Sequence, residues 1–335
     1  MKTWALLLLA TVFGGISQNQ INAQQNKITP LDPLLENYQY PFDVKFITLS
    51  VQQKSYRMAF MDIRPEQANG HTVLLFHGKN FNGAYWQQTA ETLQKAGFRI
   101  IIPDQLGFGK SSKPDIQYSF QLLALNTKNL LDSLQIMRTA VLGHSMGGML
   151  ATRFTLMFPG TVEKLILENP IGLEDWKLKT PYQSVDAWYK NELGQNYEKI
   201  KKYQQENYYH GQWKPEYEKW VTTLAGWSVH PEYKTVAWNA ALTYDMIFTQ
   251  PVLYEFENIK TPTLLIIGQL DRTALGKQGV PEEVRMTMGN YPKLGKETSR
   301  KIAGSTLVEL ENVGHLPHIE AFDLFITPLL AFLKQ

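Results

Sequence analysis

Val141-Leu142-Gly143-His144-Ser145-Met146-Gly147-Gly148 decides how the rest of this chain is read. An apolar run over residues 139–142 enters a Gly-x-Ser-x-Gly turn, and a helix-like segment over 147–158 leaves it. Strand, tight turn and helix in that order make a nucleophile elbow, which holds a serine on a strained corner with its hydroxyl exposed. The positions two residues either side of that serine must be small, so that other backbone can approach. Gly143 and Gly147 meet that need. The bare pattern is common in turns; here both flanks fit it.

A serine that attacks needs a base, a group to orient the base, and donors for a developing oxyanion. Seven histidines compete for the first role. His315 is favoured, because Val313-Gly314-His315 follows an apolar run at 306–310 and precedes a helical one at 321–333. His318 reads as a rim or supporting residue. A metal pair from His315-x-x-His318 is opposed by the intervening Leu316-Pro317 and by the lack of a third ligand, so no metal is expected. Asp271 follows the run 263–267 and is the candidate orienting carboxylate. Glu168, at the end of the run 164–167, is the competing acid and is read instead as a polar strand end. The first oxyanion donor is the Met146 amide, at a helix N-terminus whose dipole favours negative charge. The second comes from the loop His77-Gly78-Lys79-Asn80-Phe81, with the Lys79 amide preferred and the Asn80 amide or side chain as the alternative. His77 is expected to be structural beneath that loop, and His144 to pack beside the elbow.

Around the elbow the chain alternates. Strands are predicted at 72–76, 99–102, 139–142, 164–167, 263–267 and 306–310, with helices at 85–96, 119–134, 147–158 and 321–333. Such alternation builds βαβ units and a mostly parallel sheet, an α/β fold. Before it, 44–49 and 56–62 read as a hairpin with Gln52-Gln53-Lys54 in the turn. From 171 to 250 the rhythm stops and aromatics crowd in: six of the eight tryptophans and nine of the sixteen tyrosines lie there. This reads as an inserted helical module, dividing the core into 24–170 and 251–335. Aromatics in such helices serve packing first. Those of Trp176, Trp188, Trp213, Trp220 and Trp227 that face inward are expected to line a roomy apolar substrate pocket and to exclude water.

The bulk properties exclude several functions. The 33 basic and 31 acidic residues of the 335-residue chain are interspersed, so no nucleic-acid footprint is expected. The absence of cysteine excludes a thiol nucleophile, thiolate metal sites and disulfides. Residues 1–23 combine Met1-Lys2-Thr3 with an apolar run over 4–16 and a small, polar end, and read as a signal peptide. The mature protein is then exported, periplasmic or secreted, with no stable membrane span.

The His-Gly loop, Pro103-Asp104-Gln105-Leu106-Gly107-Phe108-Gly109, Gly-His-Ser-Met-Gly-Gly, the late Asp271 and Gly314-His315 together resemble the α/β-hydrolase fold superfamily, over about residues 44–333. The order Ser145, Asp271, His315 is that superfamily's order. The resemblance implies a sheet flanked by helices, a cap between the sixth and seventh strands, and a cofactor-independent serine hydrolase. A serine elbow departs from the dehalogenases and epoxide hydrolases, which carry aspartate there. Neither the loop nor the elbow matches the proline iminopeptidases. The expected substrate is a small molecule carrying a carboxylic ester. Exopeptidase or amidase activity, carbon–carbon bond hydrolysis and a non-enzymatic binding role are the alternatives.

Overall fold

The computed structural model describes residues 28–335; the expected signal peptide lies outside the described residues. Eight strands form one sheet: β1 Val44–Val51, β2 Lys54–Ile63, β3 Thr72–Phe76, β4 Arg99–Pro103, β5 Thr139–His144, β6 Val162–Glu168, β7 Thr263–Gly268 and β8 Thr306–Leu310. Their spatial order is β1-β2-β4-β3-β5-β6-β7-β8, antiparallel for β1·β2 and β2·β4 and parallel from β4 to β8. Every residue of β5 and β7 is buried, as a parallel sheet covered on both faces requires.

The pleat sorts each strand between two cores. Leu74, Phe76, Ile101, Leu265 and Ile267 face one side, while Val73, Leu75, Ile100, Ile102, Leu264 and Ile266 face the other. Helices α2 (Phe120–Ser133) and α3 (Met146–Met157) cover the first face through Leu123, Leu130, Leu150 and Phe154. Helices α1 (Gln87–Lys95) and α11 (Phe322–Leu333) cover the second through Leu93, Phe325 and Leu329. Ser119 starts α2 by accepting a hydrogen bond from the Leu122 amide at 3.0 Å.

Between β6 and β7 stand α4 (Val185–Leu193), α5 (Tyr197–Asn207), α6 (Glu218–Ser228) and α7 (Tyr233–Thr249), within the stretch read as a cap. Short helices α8 (Glu282–Arg285) and α10 (Pro317–Glu320) lie in loops after β7 and β8. Two expectations need correction. The hairpin turn is Gln52-Gln53 alone, both at positive φ (48° and 67°), and Lys54 belongs to β2. Helix α9 (Tyr291–Lys301) was not anticipated; Tyr291, Leu294, Gly295 and Thr298 are its only buried residues, too sparse an apolar stripe to read. Among the described residues no helix is long and apolar enough to cross a membrane.

Candidate active site

Ser145 lies between β5 and α3 at φ 57°, ψ −123°, a strained conformation for a residue with a side chain. Its neighbours explain the corner. A Cβ on Gly143 would fall well under 3.0 Å from the Gly147 carbonyl, and one on Gly147 would do the same at the Phe76 carbonyl. Only glycine permits strand, turn and the end of β3 to meet so closely.

The structure brings the residues predicted as nucleophile, base and orienting carboxylate into one line. Ser145 Oγ is 3.0 Å from His315 Nε2, and His315 Nδ1 is 2.6 Å from Asp271 Oδ2. Asp271 and His315 are fully buried and Ser145 is 7% exposed, so these contacts are made out of bulk water. Asp271 also accepts from Asn169 Nδ2 at 2.8 Å and from the Thr273 amide at 2.7 Å. Asn169 is held in turn by the Gly268 amide, which donates to its Oδ1 at 2.9 Å. Sequence reasoning passed over Asn169, although its place after β6, one strand from Asp271, was a usable signal.

A second hydrogen-bonded chain supports this line from behind. The Gly78 amide donates to Tyr85 Oη (2.9 Å), which lies 3.0 Å from His144 Nδ1, while His144 Nε2 is 2.8 Å from the His315 carbonyl. A carbonyl only accepts, so the network assigns the His144 proton to Nε2 and leaves Nδ1 to accept from Tyr85. Burial, then the neighbouring His315 and His318, hold His144 well below the usual histidine range, and so neutral. His77 fits its expected place: Nδ1 meets the Gly78 carbonyl at 2.9 Å and Nε2 accepts from the Gln105 amide at 3.1 Å.

The loop after β3 passes against Ser145, since a Cβ on Gly78 would sit 3.2 Å from Ser145 Cβ. Among the described residues the Lys79, Asn80 and Met146 amides have no acceptor, and the Asn80 side chain is committed to Tyr208 Oη at 2.8 Å. Unsatisfied N–H groups beside a serine are what an oxyanion site requires.

Glu168 is not the polar strand end expected. It is fully buried, and its Oε1 accepts from the His318 amide at 2.9 Å and pairs with His318 Nδ1 at 2.8 Å. His315 and His318 thus turn to different carboxylates. No group of three or more His, Cys, Asp or Glu among the described residues could hold a metal.

Above Ser145 opens a cavity of about 550 Å³ lined by both core and cap. Of the five tryptophans proposed for it, Trp188 and Trp227 line the wall. Trp176, Trp213 and Trp220 do not. Trp176 is buried in the core, Trp213 packs on Tyr209 and Tyr217, and Trp220 lies edge-on to Phe81 and Tyr85. Packing claimed those three rings. Tyr208, not singled out beforehand, stacks on the His315 ring at 4.9 Å and accepts the His315 amide at its carbonyl, at 2.8 Å.

Residues 71–322 match the family model of the alpha/beta hydrolase fold. The AB hydrolase superfamily protein YisY of Bacillus subtilis is 27% identical over 256 residues, 74% of this chain and 85% of that protein. An uncharacterized protein of Mycobacterium tuberculosis is 34% identical over 133 residues, 40% of this chain, so the matched stretch spans 36% of that relative's length. The solved structure of a probable hydrolytic enzyme from Pseudomonas aeruginosa PAO1 superposes with a TM-score of 0.91 at 49% identity, covering 92% of this chain and 99% of that one. An esterase from Exiguobacterium antarcticum shares the fold at a TM-score of 0.67 and 20% identity, covering 87% of this chain and 100% of its own. On its sheet order, its elbow and these matches, the chain belongs to the alpha/beta hydrolase fold family.

Proposed function

We propose that the protein is a serine hydrolase that cleaves carboxylic esters through an acyl-enzyme. The observation that carries this reading is the continuous line from Ser145 Oγ through His315 to Asp271, at 3.0 and 2.6 Å. In the proposed mechanism Ser145 Oγ attacks the ester carbonyl while its proton passes to His315 Nε2. Asp271 fixes the Nδ1–H tautomer and stabilises the imidazolium. The Met146 and Lys79 amides take the oxyanion, His315 protonates the departing alkoxide, and the same imidazole then removes a proton from the water that releases the acid. The cap excludes bulk water from these steps, and residues 1–23 direct export.

Active-site titration tests the nucleophile. A fluorophosphonate is expected to label the wild-type protein at Ser145 and to leave Ser145→Ala unlabelled. A panel of p-nitrophenyl esters set against aminoacyl and prolyl anilides tests the bond; turnover of anilides alone would overturn the ester reading in favour of a peptidase or amidase.

A further inference from the structure

One charged group in the cavity is not used by the steps above. Lys79 stands on the loop that touches Ser145, and its side chain runs up to the cap, where Nζ sits 3.5 Å from the centre of the Tyr244 ring. Tyr244 in turn stacks on Trp188 at 4.6 Å with 16° between the planes, so the ammonium caps a two-ring stack on the cavity wall. Among the described residues it has no hydrogen bond and no ion pair within 4.0 Å. The other lining lysines do have oxygen partners: Lys199 at the Gly194 carbonyl, Lys277 at the Arg272 carbonyl and Lys202 beside Glu206.

An ammonium carries three donors, and a ring face satisfies charge without accepting them conventionally. Confining such a group in a mainly apolar cavity is costly. Burial accordingly draws the Lys79 ammonium down to about 8, against the opposing pull of Glu192. Glu192, on α4, also lines the cavity; among the described residues its carboxylate has no hydrogen bond, and burial raises that carboxyl. Glu192 stands beyond 4.0 Å from Lys79 Nζ and so leaves its donors open, its raised carboxyl gives up its proton less readily, and the ammonium already occupies the ring face that would otherwise attract a cation. An incoming anion therefore has more to gain here than an incoming ammonium.

Resting on the serine-hydrolase reading, we propose that Lys79 forms a carboxylate-binding subsite, so that preferred substrates are esters carrying a carboxylate on the part that lies in the cavity. The substrate carboxylate accepts from Nζ while the ammonium keeps its place on Tyr244.

The test reads a selectivity ratio, which general damage to the site leaves interpretable. The acyl side is probed with mono-p-nitrophenyl adipate, p-nitrophenyl hexanoate and p-nitrophenyl 6-aminohexanoate. The leaving-group side is probed with 4-carboxyphenyl hexanoate against phenyl hexanoate. In one of the two series kcat/KM should favour the carboxylate ester by roughly 10- to 100-fold, the worth of a charge-assisted hydrogen bond. Lys79→Met should bring that ratio near one, and Lys79→Arg should keep most of it. In the wild type the ratio should fall as pH rises through about 8, the range in which Lys79 loses its proton, whereas Lys79→Arg should hold it to higher pH. Ratios near one in both series, a preference for the 6-amino ester, or a ratio unchanged in Lys79→Met would each overturn the subsite while leaving the hydrolase reading intact. Failure of every ester together with failure of fluorophosphonate labelling would instead sink the hydrolase reading itself.

Discussion

Among the described residues two fully buried histidine–carboxylate pairs stand three residues apart at the histidine end, and only one of them meets the proposed nucleophile. His315 with Asp271 and His318 with Glu168 are alike in distance, 2.6 and 2.8 Å, and all four side chains are buried. They differ in what the second imidazole nitrogen faces. His315 Nε2 meets Ser145 Oγ, while His318 Nε2 has no hydrogen-bond partner among the described residues and its ring lies on Trp86 at 4.3 Å. A carboxylate can orient an imidazole in either setting; the neighbour beyond the imidazole decides whether that orientation does chemistry.

The comparison can be broken most directly at the nucleophile. Ser145→Ala should lower kcat by about a millionfold in an ester assay, with the urea midpoint little changed. The two carboxylates should then separate. Asp271→Asn should cost about 10⁴-fold in kcat, because an amide in that position supports the wrong tautomer of His315. Glu168→Gln should leave kcat within about tenfold and instead lower stability by about 1–3 kcal/mol in urea unfolding. Equal losses of activity in these two variants would erase the distinction between the pairs. Tyr85→Phe strips the Gly78 amide and His144 Nδ1 of their shared hydroxyl. About 1–3 kcal/mol of stability should go with it, and kcat should fall more than KM changes, read by paired denaturation and steady-state kinetics.

The smallest effect is expected at Glu320, which accepts from the Gly314 and Leu316 amides at 3.1 and 2.9 Å. Burial, outweighing those two donors, raises its carboxyl to about 7. The folded protein therefore holds this proton to higher pH than the unfolded chain does. Its contribution is complete below the ordinary glutamate range and is lost as pH rises through about 7. Urea midpoints of wild type and Glu320→Gln across pH 4–8 should diverge in favour of the variant as pH rises; parallel curves would reject this assignment.

The elbow and the order Ser145, Asp271, His315 were legible because each signal is local. An apolar run, a turn residue and a side chain type sit within a few positions, and the parallel sheet brings the run ends to one edge. Contacts made by the cap were not legible. Lys79 reaches Tyr244, and Tyr208 reaches His315, across more than a hundred residues, and nothing near either partner announces the other. Glu168 was misread for the same reason, since its partner stands 150 positions away. Among the tryptophans, residue type could not separate Trp188, which faces the cavity, from Trp220, which packs on Phe81 and Tyr85.

The place where Gly314 meets the cap has a mechanical consequence. A Cβ on Gly314 would collide with the Tyr208 carbonyl, the same carbonyl that receives the His315 amide. The Tyr208 segment and the loop that carries His315 are pinned at that corner, with no slack for even a methyl group. Any movement lifting Tyr208 away would take the backbone anchor and the stacked ring from the imidazole together.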